Sequence, residues 1–132
     1  MTLLVVDGAN VVGSRPDGWW RDRAGAASRL AEQLVRARNG GLLDTLCSES
    51  VSAPRVLLVL EGAAKAATVP ESLDVLLAPR DGDSAMVELA HSACDGGEDV
   101  IVVTADRELT RLLHTVGART IKPGALLAVV GR

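Results

Sequence analysis

A chain of 132 residues with 48% apolar and 23% charged side chains can bury one core without disulfide or metal staples, and this composition excludes disorder. Phe and Tyr are absent and Trp19 and Trp20 are the sole aromatics, so the core must be aliphatic. A net charge of −3 excludes a general basic coat for nucleic acid and leaves any such contact to local clusters. The cations are nearly all arginine, which suits bidentate phosphate contacts but mostly reflects the codons of a GC-rich genome.

Met1–Val6 is a short apolar run ending at Asp7-Gly8, a buried strand meeting a loop. Ser14–Trp20, broken by Pro16 and Gly18, is not expected to hold regular structure. From about Arg21 to Arg38, Ala24, Ala27, Leu30, Ala31, Leu34 and Val35 recur at helical spacing until Asn39-Gly40-Gly41 stops the helix. Leu42–Ser52 reads as a helical turn and then a loop. Arg55–Leu60 is a second buried strand ending at Glu61-Gly62, Ala63–Ser72 a loop broken by Pro70, and Leu73–Ala78 a third strand ended by Pro79.

The acidic, glycine-broken Arg80–Asp83 opens a helix from about Ser84 to Cys94 with Met86, Leu89, Ala90 and Ala93 as its core stripe. Val100–Val103 is a fourth strand, followed directly by Thr104-Ala105-Asp106. The next helix places Leu109, Leu112, Leu113 and Val116 on one face and ends at Gly117. Arg119–Ile121 is a fifth strand, and Ala125–Val130 either a sixth strand or a short closing helix.

Apolar strands alternating with amphipathic helices predict one α/β domain over 1–132, a three-layer sandwich around a mainly parallel sheet. Cys47 and Cys94 have no partner at metal-binding spacing and are expected as reduced, buried thiols. The apolar start Leu3–Val6 is too short for a signal peptide, and no apolar run approaches the roughly 20 residues of a membrane helix. The expectation is a soluble, cytoplasmic protein without membrane contact.

Open parallel sheets bind ligands beyond the carboxyl ends of their strands, where strand order reverses. Asp7 follows the first strand, Glu61 the second and Asp106 the fourth, while Asp83 begins the helix after the third. A first strand lying beside the fourth brings Asp7 and Asp106 together, with Asp83 leaning in. Crowded carboxylates repel unless protonated or neutralised by a cation, and about three of them suit Mg2+ or Mn2+. Such an ion activates water and stabilises charge on a phosphodiester. Asn10, one turn past Asp7, adds a polar contact for phosphate without negative charge. Taken singly, Asp7-Gly8 is a plain strand exit, and Asp83 and Asp106 are ordinary helix caps. Their concentration at one sheet edge favours a shared site.

The segments Leu3–Val12 (LLVVDGANVV), Val56–Gly62 (VLLVLEG), Gly82–Ala90 (GDSAMVELA) and Val100–Leu109 (VIVVTADREL) resemble the NYN nucleases of the PIN-like superfamily, of the bacterial YacP-like kind. The resemblance spans nearly the whole chain in the correct order. It implies a parallel sheet of order 3-2-1-4-5, acidic residues binding Mg2+ or Mn2+, and hydrolysis of RNA that leaves a 5′-phosphate. By position, Asp7 and Asn10 match the first motif, Asp83 an acidic position that is often an Asp pair, and Asp106 the acid after the fourth strand. Ser84 stands where a second Asp is common, and Thr110 where some relatives are acidic, which implies a thinned metal site. Glu61, Asp81 and Glu108 are the accessory acidic candidates.

Trp19 and Trp20, flanked by Arg15, Arg21 and Arg23, suit stacking of unpaired RNA bases with the arginines on phosphates. On a packing account, one Trp fills the core and the other is a lid or a homodimer contact. His91 and His114 fall opposite the apolar stripes, at the surface. Lys122 leaves the fifth strand where it can meet phosphate or simply solvent. A receiver-like signalling domain shares Asp7, Thr104-Ala105 and Lys122-Pro123, but Glu61 stands at its phospho-acceptor position and Gly8 at its paired acid. A haloacid-dehalogenase-type phosphatase needs an Asp where Ala9 stands, and no G-x-G-x-x-G follows the first strand. A non-catalytic PIN-like RNA-binding or assembly module stays open because of Ser84 and Thr110.

Overall fold

The apolar run at the start of the chain forms β1 (Thr2–Asp7), buried at every position because it is the middle strand of a five-stranded sheet. β2 (Arg55–Leu60) and β3 (Asp74–Leu77) extend the sheet on one side, and β4 (Asp99–Val103) and β5 (Arg119–Ile121) on the other. The order is β3-β2-β1-β4-β5 and every pairing is parallel. The structure is a computed structural model that describes residues 2–47 and 54–131, so the end of the expected loop at Leu42–Ser52 lies outside the described residues.

Alternation along the strands builds two cores. Leu4 and Val6 face a layer with Leu30 and Leu34 of α2 (Arg23–Asn39) and Leu126 of α5 (Pro123–Val130). Leu3 and Val5 face the other layer, with Met86 of α3 (Gly82–Asp95) and Leu109 and Leu113 of α4 (Arg107–Thr115). Each such side chain contributes about 1.5–3 kcal/mol by leaving water, and together they clamp both faces of the sheet. The carboxyl ends of β1 and β4 are thereby held side by side, with Val6 opposite Val103.

Several local assignments differ from the sequence expectation. The stretch after Asp7 is not a loop but a one-and-a-half-turn helix, α1 (Gly8–Gly13), capped by Asp7 and held by burial of Val11 and Val12. Trp19–Arg21 forms a 3-10 turn entered through Gly18 at φ +76°, and Gly62–Ala66 forms another where a loop was expected. α2 begins at Arg23 rather than Arg21, because Asp22 accepts from the Gly25 N–H and sets the start. α3 begins two residues earlier than Ser84, capped by Asp81 and not by Asp83. The last segment is a helix, with Pro123 in its first turn, where a missing N–H leaves no bond unmade.

Cys47 is buried and free as expected, whereas Cys94 is only half-buried. Burial, reinforced by Asp44, pushes the Cys47 thiol up. Among the described residues no helix is long and apolar enough to cross a membrane.

Candidate active site

The junction of β1 with α1 meets the loop after β4 at the reversal point of the sheet. Asp7, 6% exposed at the end of β1, accepts the Asn10 N–H at Oδ1 (3.2 Å) and the Thr104 hydroxyl at Oδ2 (3.0 Å). Thr104 Oγ1 in turn accepts the Asp106 N–H at 3.2 Å, and Asn10 Oδ1 accepts the Ala105 N–H at 3.0 Å. The loop after β4 is thus tied to the end of β1 and to α1 through side chains on both. Asp106 caps α4 by accepting the Leu109 N–H at 2.8 Å through Oδ1, and Oδ2 has no bond among the described residues.

The acids of the neighbouring loops complete the rim. Glu61, just past β2, accepts the Gly82 N–H. Asp81 caps α3 by accepting the Ser84 N–H at 2.7 Å. Asp83 sits in the first turn of α3 and is the one acid here whose carboxylate has no hydrogen bond among the described residues. Asp7, Glu61, Asp81, Asp83 and Asp106, with Ala9 and Asn10, line one open cleft of about 320 Å3, with no Lys or Arg among the described residues of its walls.

Charge crowding shows in the acidities. Burial raises the Asp7 carboxyl to about 6, against the pull of the Asn10 and Thr104 hydrogen bonds and with a push from Asp83 and Glu61. Asp83 is raised first by its partial burial, then by Asp106, Asp81 and Glu61. Asp81 moves the other way, lowered by its hydrogen bonds from Ser84.

The cleft gathers Asp7, Asn10, Asp83 and Asp106, and Glu61 and Asp81 with them. Glu108 is not in it: its carboxylate is bonded to Arg111 at 2.5 Å on the exposed face of α4, because two residues along a helix turn a side chain to the opposite side. Ser84 and Thr110 do not line the cleft either. Ser84 bonds back to Asp81, and the Thr110 hydroxyl donates to the Asp106 carbonyl at 2.7 Å. Capping and clustering coexist at Asp7 and Asp106, which do both.

The two tryptophans separate. Trp19 is half-buried against the α2-side core with the Arg23 guanidinium 5.3 Å from its ring centroid. Trp20 is 56% exposed, meets Trp19 edge-on at 6.0 Å, and carries Arg21 at 5.9 Å. Trp19 and Arg23 line a second hollow of about 390 Å3 that shares Ala9, Glu61 and Asp81 with the acidic cleft. Arg80 also lines it, a residue sequence reasoning missed although it immediately precedes Asp81. Arg15 and Arg21 do not; Arg15 donates to Gln33 at 2.8 Å. Trp19→Ala should therefore lower stability by about 2 kcal/mol, and Trp20→Ala by less than about 0.5 kcal/mol, as read from urea denaturation. Nothing among the described residues supports the homodimer.

The strand order decides between the candidate folds. A receiver domain has order 2-1-3-4-5, and the observed β3-β2-β1-β4-β5 overturns that reading. No protein-family model and no curated protein matches the chain. Solved structures do: Rae1 (YacP) from Bacillus subtilis aligns with a TM-score of 0.75 over 99% of this chain and 74% of that one, at 18% identity. Its W164L mutant aligns with a TM-score of 0.70 over 99% of this chain and 76% of that one, at 19% identity. This chain has the Rae1 fold. The name YacP is also that of the bacterial group whose motifs the four segments resemble. At such low identity the likeness speaks for the architecture, and the chemistry rests on the residues of the cleft.

Proposed function

We propose that the chain is a divalent-cation-dependent endoribonuclease whose site is the cleft of Asp7, Asp83 and Asp106. The observation that carries this reading is the lining of five carboxylates with no cationic side chain among the described residues, one of the five buried with its acidity shifted to about 6. Such a donor set is all hard oxygen and lacks a counter-charge, which fits Mg2+ or Mn2+. Among the described residues no three His, Cys, Asp or Glu side chains stand close enough to hold an ion as they are. The donors fit in kind, and the cage is not preformed. Among the described residues the Asp83 carboxylate has no hydrogen bond and Asp106 Oδ2 has none, so these oxygens are left for an ion.

Asp7, Asp83 and Asp106 would hold the ion, which when bound supplies an activated water and neutralises charge on the scissile phosphate. The chain's own groups do the rest. Asn10 has its amide orientation set by the bond from the Ala105 N–H to Oδ1, so Nδ2 is left as a donor for a phosphate oxygen. Thr104 holds Asp7 and the start of α4 in register through its single hydroxyl. Trp19, Arg23 and Arg80 flank the cleft where an unpaired base and its phosphate can rest.

Incubating the chain with mixed single-stranded and structured RNA in Mn2+ should yield 5′-phosphate ends, with EDTA stopping cleavage and rising salt slowing it. Cleavage that persists in EDTA would sink the metal reading. Ion affinity should climb as pH rises through about 6, because the ion competes with the proton on Asp7. Titrating Mn2+ at pH 5 and pH 7.5 checks this, and equal affinities would count against Asp7 as a ligand. The open cage favours a second reading, a non-catalytic RNA-binding module. On that reading RNA is bound intact, with the same affinity in EDTA as in Mn2+.

A further inference from the structure

We infer that the hollow on the β5 side of the acidic cleft is a phosphate-binding site that holds the RNA strand beside the scissile bond. The hollow measures about 500 Å3 and is walled by Arg107, Lys122, Thr104, Thr110 and Thr120, with no carboxylate among the described lining residues. Its identity as a strand site rests on the nuclease reading of the neighbouring cleft; its identity as an anion site does not.

Three observations carry it. Arg107 begins α4 and Lys122 immediately precedes α5, so the two cations follow the carboxyl ends of the adjacent parallel strands β4 and β5, the same sheet edge as the acids. Neither has a carboxylate partner among the described residues, whereas Arg55, Arg111 and Arg119 are matched by Glu98, Glu108 and Asp99. In a chain of net charge −3, two unmatched cations sharing an acid-free hollow form a local positive field that a mobile anion would neutralise. Finally, Thr104 belongs to both places: it lines this hollow and its hydroxyl binds Asp7 of the acidic cleft. The two hollows are joined through this one hydrogen bond and through the short segment Thr104–Arg107, whose residues line one or the other.

This layout gives the sheet edge a polarity. The acidic cleft repels phosphate unless a cation fills it, while the hollow beside it attracts phosphate without help. Thr110 and Thr120 have their hydroxyls engaged, with the Asp106 carbonyl and with His114, and they keep the walls polar without adding negative charge. A strand anchored by Arg107 and Lys122 would lay its neighbouring phosphodiester over Asp7 and Asp106.

Amide shifts in a 15N-labelled chain, held in EDTA, distinguish the sources of phosphate, with inorganic pyrophosphate and a ten-nucleotide uridine RNA as the two probes. Both should shift Arg107, Thr110, Thr120 and Lys122. The double variant Arg107→Ala/Lys122→Ala should bind the RNA at least about tenfold more weakly, with a slope of log affinity against log salt smaller by about 1 to 1.5. Arg111→Ala, already paired with Glu108, should change neither. Shifts from pyrophosphate alone would overturn the strand assignment, and RNA affinity and slope unchanged in the double variant would overturn the site. The result is independent of cleavage: a chain that binds RNA through this hollow but cuts none keeps the inference and loses the nuclease reading.

Discussion

Asp7→Asn is expected to lower Mn2+-dependent RNA cleavage by at least about a hundredfold, near 3 kcal/mol of barrier, and to make the protein more stable. The two effects have one origin. Burial lifts the Asp7 carboxyl from 3.8 to about 6. Between those values the folded chain binds a proton that the unfolded chain has released, so stability falls as pH rises through that window and the loss is complete above it. A shift of about two units corresponds to roughly 3 kcal/mol at pH 7.5. Asn still accepts the Asn10 N–H, but it presents an NH2 group to Thr104, whose hydroxyl then loses its acceptor, a cost of about 1 kcal/mol. The net gain of about 1–2 kcal/mol should raise the melting temperature by several degrees in EDTA at pH 7.5 and vanish near pH 4. A variant that loses both activity and stability at pH 7.5 would make Asp7 a structural residue.

Gly8→Ala should be the most damaging small substitution in the chain. A Cβ at Gly8 would lie 2.6 Å from the Val59 carbonyl oxygen and 3.0 Å from Leu60 Cδ2. The first contact is backbone, so no rotamer change relieves it. β1 and β2 would have to part where Asp7 pairs with Val59, loosening the strand end that carries the buried acid. A loss of about 3 kcal/mol in urea denaturation is expected, at the upper end for an added methyl group. Gly124→Ala, in α5 with nothing within 4 Å of its Cβ, is the control and should be neutral or stabilising by up to about 1 kcal/mol. Equal costs at the two positions would mean that β1 and β2 are not packed as closely as described.

The strands were legible because each is an uninterrupted apolar run ending at a charged or glycine residue, and a parallel sheet covered on both faces requires that pattern. The gathering of Asp7, Asp83 and Asp106 followed from their places after those strands. α1 was hidden because Val11 and Val12 favour strands and six residues are too few for a visible period; its cap and its burial are tertiary facts. At the start of α3, Asp81 and Asp83 are both good caps, and only the fold shows Asp81 taking the role and leaving Asp83 to the cleft. Glu108 looked like an accessory acid by nearness in sequence, yet its helical direction delivers it to Arg111. Trp19 and Arg23 were legible as neighbours four residues apart, whereas Arg80 beside them could not be read, because it arrives from the distant segment before α3.

The most direct measurement is the loss of amide signals near a paramagnetic ion in a 15N-labelled chain titrated with substoichiometric Mn2+ at pH 7.5. Signals of Asp7, Asn10, Asp83 and Asp106 should broaden first in the wild type and persist in Asp7→Asn. Broadening scattered over the exposed acids of the surface, or equal in the two proteins, would contradict a metal site in this cleft.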